Sequence, residues 1–294
     1  MFDSLSPQLL FGQLLLGLIN GSFYAMLSMG LAIIFGLMNV VNFAHGAQYM
    51  LGAFVAWLVL TVLGVPYWGA LLVAPVVVGL FGMAMERLLL RPLQNLDHLY
   101  GLLATYAVAL IVEGLVTHKY GSTGIPYDNP IPVVVRLGFM VLPAYRLWVV
   151  GISLVICIGT WFAIEHTRLG AYLRAANERP YMVEAFGINV PRMITLTYGF
   201  GVGLAALSGV LAAPIYQVSP SMGSGILNVV FAVVVIGGMG SIAGAVASGY
   251  VLGVVEGLTK VFYPPAANVV IFLFMILALF LRPSGLFAGR NEVS

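Results

Sequence analysis

Residues 9–38 read LLFGQLLLGLINGSFYAMLSMGLAIIFGLM, thirty residues without a charge. At ~1.5 Å per residue, a helix of that length rises ~45 Å, more than the ~30 Å hydrocarbon core of a bilayer. The run therefore predicts a membrane helix that tilts or projects past the bilayer before the polar patch at 39–45. Further apolar runs of crossing length lie at 47–64, 67–86, 99–118, 146–164, 192–216 and 267–281. The stretch 226–262 is too long for one crossing and barely long enough for two, and it holds Gly237, Gly238, Gly240 and Gly244. A short or re-entrant piece followed by a full span accounts for it. The expected fold is an all-α integral membrane protein: a polytopic helix bundle with eight or nine membrane segments, forming one domain over residues 1–294.

Composition agrees. Hydrophobic residues make up 61% of the 294 and charged residues 7%, where soluble domains carry ~25% charge, and the mean hydropathy is +1.05. So apolar a surface would aggregate in water, which excludes a soluble enzyme. A net charge of +2 gives no basic field, so no nucleic-acid partner is expected. Cys157, the single cysteine, reads as a small buried hydrophobe. The N-terminus lacks the positive region of a signal peptide, so the first apolar segment is expected to remain in the mature protein.

Orientation follows from the few cations. Alternating the spans puts Arg87, Arg91, Arg168, Arg174, Arg179, Arg192, Arg282 and Arg290 on one side and Lys119, Arg136, Arg146 and Lys260 on the other. The richer side is expected to be cytoplasmic, with the C-terminus inside and the N-terminus outside. Two connections exceed hairpin length. The outer one, 119–145, carries the β-branched VVV and FMVL runs around Arg136, Leu137 and Gly138 and predicts a small hairpin over the outer mouth. The inner one, 165–191, is the richest polar stretch.

Several chemistries lack their residues. Neither lysine precedes Ser or Thr in a phosphate loop, the four histidines show no HExxH spacing, and no serine sits in a GxSxG elbow. Nucleotide, metal and serine-hydrolase chemistry are therefore not expected of this chain. Glu86, Glu113 and Glu256 fall near span boundaries, and Lys260 follows Glu256 at i+4. Paired or snorkelling boundary charges fit them better than a proton relay.

Gln13, Asn20, Tyr24 and Ser28 share one face of the first span. Such a stripe either bonds a neighbouring helix or lines a path. Asn39, Asn42, His45 and Gln48 crowd the break that follows, as a gate or as a capped loop. Glycine pairs at i, i+4 recur at Gly17/Gly21, Gly199/Gly203, Gly240/Gly244 and Gly249/Gly253/Gly257, which suits close helix packing within the chain or against a second subunit. In the inner loop Pro180 suits a helix start and Gly187 a left-handed stop, bounding a two-turn helix over 180–186. It would expose Tyr181, Met182 and Phe186 beside Arg179 and Glu184: apolar anchors with a charged rim, fit either to dock a partner or to lie on the membrane interface.

GLAIIFGLMNVVNFAHG (30–46), RAANERPYMVEAFGINVPR (174–192), GLAALSGVLAAP (203–214), VVIGGMGSIAGAVASG (234–249) and RPSGLF (282–287), taken together and in this order, resemble the Liv-type permeases of bacterial branched-chain amino-acid ABC importers. Ala288 departs from the glycine common after that phenylalanine. The resemblance implies an inner-membrane subunit working with a second homologous permease, two cytoplasmic ATPases that bind the ATP and Mg²⁺, and a periplasmic binding protein. It implies that 180–187 is the coupling helix seated in the ATPase, with Arg179, Pro180, Tyr181, Met182, Glu184, Ala185, Phe186 and Gly187 at the contact. The wider importer pattern, Glu-Ala-Ala with a glycine three residues on, is met in compressed form by Glu184, Ala185 and Gly187. Asn20, Tyr24, Asn39, Asn42, His45 and Gln48 are the candidates for the path or gate. The expected substrate is a branched-chain or other neutral amino acid; relatives of this kind also carry urea, short amides or sugars. The competing reading of the polar stripe and boundary acids is an ion-gradient-driven secondary transporter or channel.

Overall fold

The uncharged opening run folds as one helix, α1 (Pro7–Met38), in the computed structural model, which describes residues 7–38, 41–94, 96–136, 138 and 141–287. Asn39, Leu137, Phe139, Met140, Ala288 and Arg290 lie outside the described residues. After a buried turn comes α2 (His45–Leu63), closed by Gly64 at φ +63°, whose N–H bonds the Leu60 carbonyl. The next span, α3 (Tyr67–Met85), runs on through a π turn (Glu86–Leu90) into the single turn α4 (Arg91–Leu93). Asp97 caps α5 (His98–Tyr120) by accepting from the Leu99 N–H at 2.9 Å.

The connection between α5 and the next long helix contains the expected hairpin: β1 (Val134–Arg136) pairs antiparallel with β2 (Val141–Pro143), Val135 opposite Leu142. Then follow α6 (Ala144–Glu165), α7 (Arg168–Glu178), α8 (Pro180–Ala185), α9 (Val190–Tyr216), α10 (Met222–Gly237), α11 (Ile242–Phe262) and α12 (Ala267–Leu281). Ser241 caps α11 at the Gly244 N–H.

Among the described residues, eight helical stretches are long and apolar enough to cross a membrane, and α10 is a shorter ninth. Its sixteen residues rise only ~24 Å. Val218, just before it, pairs with Ile125 beyond the end of α5, whereas Gly240, just after it, faces Gly36 near the end of α1. Helix α10 is thus the short segment expected in this stretch, and Gly223 in its first turn meets Gly46 in the first turn of α2.

All four glycine faces are consumed inside the chain. Gly17 and Gly21 of α1 meet Gly249, Gly253 and Gly257 of α11 so closely that a Cβ at Gly253 would lie 2.4 Å from the Gly21 Cα. Gly199 and Gly203 meet Gly79 and Pro75 of α3, and Gly244 meets Gly237. Without side chains in the way the backbones approach, and dispersion between them replaces the hydrophobic drive that lipid does not supply. Helix α1 is accordingly buried along most of its length, while α5 and α12 turn most of their apolar side chains outward. At the hairpin end the loop after α5 is seated on an aromatic cluster. The Tyr67 and Tyr145 hydroxyls bond each other at 2.8 Å, Tyr145 also donates to the Leu211 carbonyl, and Tyr127 stacks edge-on against Tyr67.

Candidate functional site

Helix α8 is bounded as its sequence implies, by Pro180 in the first turn and Gly187 at φ +81° beyond the last. Val183 points inward and joins Ala176 of α7 and Val190 of α9 in a small core. That anchor turns the rest outward: Tyr181 is 86% exposed and Phe186 85%, with Met182 beside them and Arg179, Glu184 and Ala185 also exposed. All eight residues singled out here occupy one surface turn. Sequence reasoning missed the helix leading into it, α7. Its signal was the small apolar face Gly170, Leu173 and Ala176, all buried. Gly170 lies so near the Ile164 carbonyl that no side chain fits.

The break between α1 and α2 lies inside the bundle. Asn42, His45 and Gln48 are all buried, while Asn39 is outside the described residues. Asn42 Oδ1 accepts from the Ala44 N–H at 3.0 Å, and Asn42 Nδ2 donates to Gln48 Oε1 at 3.1 Å. The Phe43 N–H donates to Thr105 Oγ1 of α5. His45 Nε2 lies 3.0 Å from the Leu27 carbonyl; a carbonyl can only accept, so Nε2 carries the proton. The imidazole packs on Gly30, where a Cβ would come within 3.2 Å of the ring. Irregular backbone away from water must be satisfied by protein, and these side chains do it.

Asn20 and Tyr24 belong to a second, separate network. Tyr24 donates to Glu256 Oε2 at 2.7 Å, the Lys260 ammonium bonds Glu256 Oε1 at 2.5 Å, and the Tyr216 hydroxyl donates to Asn20 Oδ1. Ser28 reaches the Val230 carbonyl at 3.4 Å. These members of the α1 stripe bond neighbouring helices.

Glu86 is wholly buried and takes its cation from Arg91, at 3.1 Å, rather than from adjacent Arg87. Thr195 of α9, which sequence reasoning did not single out, donates to the same carboxylate at 2.7 Å. No periodicity signals that contact. A cavity of about 530 Å³ opens beside it, lined by Glu86, Arg91, His98, Asn177, Pro180 and Pro191. Among the described residues no cluster of His, Cys, Asp and Glu could hold a metal ion.

The sequence matches, over residues 13–279, the family model described as branched-chain amino acid transport system / permease component. It is 31% identical to the high-affinity branched-chain amino acid transport system permease protein BraD of Pseudomonas aeruginosa, with 96% of each chain covered. Identity to the corresponding permease protein LivH of Escherichia coli K12 is also 31%, again over 96% of each. A probable branched-chain amino acid transport permease protein LivH of Methanocaldococcus jannaschii is 28% identical over 92% of this chain and 90% of its own. No solved structure matches significantly.

Proposed function

Because the chain belongs to the branched-chain amino acid transport permease family, we propose that it is the membrane-embedded permease of an ATP-driven, binding-protein-dependent importer that moves a branched-chain or other neutral amino acid by alternating access. Its partners on this reading are a second homologous permease, two cytoplasmic ATPase subunits that bind the ATP and Mg²⁺, and a periplasmic binding protein. The observation that carries it is α8: a bounded helix, anchored by Val183, that holds Tyr181 and Phe186 almost fully exposed. Two large rings held outward on a rigid turn fit a groove in a partner. The turn at 41–44 with Asn42, His45 and Gln48 serves as part of the gate, and Asn20 and Tyr24 flank the path.

The membrane is the bacterial inner membrane, with the α8 end and the C-terminus cytoplasmic. Arg87, Arg91, Arg168, Arg174, Arg179, Arg192 and Arg282 gather at the α8 end, and Lys119, Arg136, Arg146 and Lys260 at the hairpin end, the asymmetry of the positive-inside rule. An ion-gradient mechanism has less support. The two buried carboxylates among the described residues, Glu86 and Glu256, are each held by a cation.

The test is reconstitution in liposomes with the four partner subunits. Leucine uptake is expected only with ATP on the α8 side and binding protein on the hairpin side. Uptake by this chain alone, driven by an ion gradient, would overturn the reading.

A further inference from the structure

Glu86 and Arg91 are five residues apart, a spacing that a regular α-helix sets about 140° apart around its axis. The π turn abolishes that separation. The Arg91 N–H bonds the Glu86 carbonyl, and the side chains meet face on, Arg91 Nε to Oε1 at 3.2 Å and Nη2 to Oε2 at 3.1 Å. The same Nη2 shares its two hydrogens with the Pro191 carbonyl at 2.9 Å and Thr195 Oγ1 at 2.5 Å, and the Thr195 hydroxyl has Glu86 Oε2 at 2.7 Å and the Pro191 carbonyl at 2.9 Å as acceptors for its one proton. The end of α3 and the first two turns of α9 are thus closed in a ring of bonds around a buried carboxylate. A wide turn in a helix and a charge out of water are both unfavourable unless something requires them.

What this ring joins is specific. On one side, only four residues separate α8 from α9. The link has no slack: the Ile188 N–H bonds the Val183 carbonyl, Asn189 caps α9, and Val190 shares a core with Val183 and Ala176. On the other side, Tyr198, buried one turn further along α9, shares a buried cluster with Met85 of α3, whose sulfur accepts from Gln48 Nε2 at 3.9 Å. Gln48 in turn holds Asn42. Between α4 and the α7–α8 loop lies the cavity of about 530 Å³; α3 and α9 pack closely through Gly79 on Gly199 and Gly82 on Val202, and the ring adds a polar tie at the α8 end of that contact.

We propose that Glu86, Arg91 and Thr195 are a latch that ties the π turn and α4 to the start of α9, so that the packed α3–α9 pair follows the α7–α8 loop and carries a pull on α8 to the buried turn at 41–44. They are positioning residues, and the proposal rests on reading α8 as the surface the ATPase grips. Coupling between distant sites travels through such contiguous bonded elements when they shift together.

The test uses the full importer in liposomes and reads leucine taken up per ATP hydrolysed. Thr195→Val, which keeps the side-chain volume and removes the hydroxyl, and Glu86→Gln are expected to lower that ratio about fivefold or more while the ATPase subunits stay bound and hydrolyse ATP. In the double variant Glu86→Cys/Thr195→Cys, whose only other cysteine, Cys157, is buried, bridging the pair with a short thiol cross-linker is expected to restore the ratio. Unaltered coupling by Thr195→Val in an assembled complex would overturn the latch, as would a bridged variant that stays uncoupled. If Glu86→Gln does not assemble, Thr195→Val and the bridged pair decide. Absence of ATP-driven uptake in the wild type would remove the functional reading and the latch with it; wild-type uptake with unaltered variants removes the latch alone.

Discussion

The Tyr24 hydroxyl donates to the Glu256 carboxylate at 2.7 Å, tying the middle of α1 to α11, while Lys260 holds the other oxygen of the same group. Glu256 is only 4% exposed, so each of its bonds replaces water that cannot reach it. Tyr24→Phe is expected to lower stability by about 1.5–3 kcal/mol, the range for a hydrogen bond to a charged group. Lys260→Met strands the carboxylate without a cation and is expected to cost about 3 kcal/mol or more. Thermal unfolding in detergent should rank Lys260→Met below Tyr24→Phe; the reverse order would mean that the phenol, not the ammonium, holds the charge in place.

Glycines that face backbone should be distinguishable from glycines that face outward. A Cβ at Gly253 would strike the Gly21 backbone, whereas one at Gly159 in α6 meets nothing within 4 Å. Gly253→Val is expected to push α1 and α11 apart and destabilise by about 1–3 kcal/mol. Gly159→Ala removes a flexible residue from a helix interior and is expected to stabilise by about 0.5–1 kcal/mol. Melting curves of the two variants should move in opposite directions.

The spans were legible because lipid demands long uncharged runs. The first run is read as 9–38 and folds over Pro7–Met38, and the hairpin and the bounded α8 follow equally from turn residues. What was not legible depends on partners. The π turn at Glu86 breaks the 3.6-residue period on which helical reading rests, and it is held by Thr195, 109 residues away. The glycine spacings gave the close-packing faces but not that α1 and α11 use theirs on each other. Asn20 and Tyr24 share a sequence signal with Asn42, His45 and Gln48, all being amides or rings in apolar surroundings, yet the fold sorts them into two networks.

At the break, Asn42→Ala removes the carbonyl that holds the Ala44 N–H and the amide that holds Gln48. His45→Ala removes the bond to the Leu27 carbonyl. Each is expected to cost stability on the scale of one to two hydrogen bonds, about 1–2 kcal/mol, leaving the complex assembled. Uptake is expected to fall about tenfold if the turn is part of the gate. Quantifying inserted complex and leucine uptake in the same vesicles checks this; wild-type uptake by both variants would make the turn a capped loop and nothing more.

Tyr127, in the loop after α5, is buried and its hydroxyl has no hydrogen-bond partner among the described residues. Burial, with Asp128 adding to it, pushes the phenol up to about 12. Tyr127→Phe removes an unsatisfied group and is expected to be neutral or stabilising by about 1 kcal/mol. The sign with pH follows. Between about pH 10, where the unfolded phenol ionises, and about 12, where the folded one does, the unfolded chain holds fewer protons, so wild-type stability falls as pH rises. The advantage of Tyr127→Phe should widen across that window in paired melting curves, and a constant difference would place the phenol in contact with solvent.

Helix α8 separates two kinds of effect that are usually confounded. Tyr181 and Phe186 touch almost nothing in the isolated chain, so Tyr181→Ala and Phe186→Ala are expected to leave its melting temperature unchanged, within about 0.5 kcal/mol. If they are anchors in an ATPase groove, each is expected to weaken capture of the ATPase subunits by about thirtyfold, the 2 kcal/mol of an aromatic hot spot. Val183→Ala should do the opposite first, costing about 1–2 kcal/mol of stability through lost burial in its small core with Ala176 and Val190. Glu184→Lys reverses a rim charge and is expected to slow association more than it alters folding. Co-purification of the ATPase subunits alongside melting of the free chain distinguishes the groups. Full capture by the Tyr181→Ala/Phe186→Ala double variant would show that α8 lies on the membrane interface instead of gripping a partner.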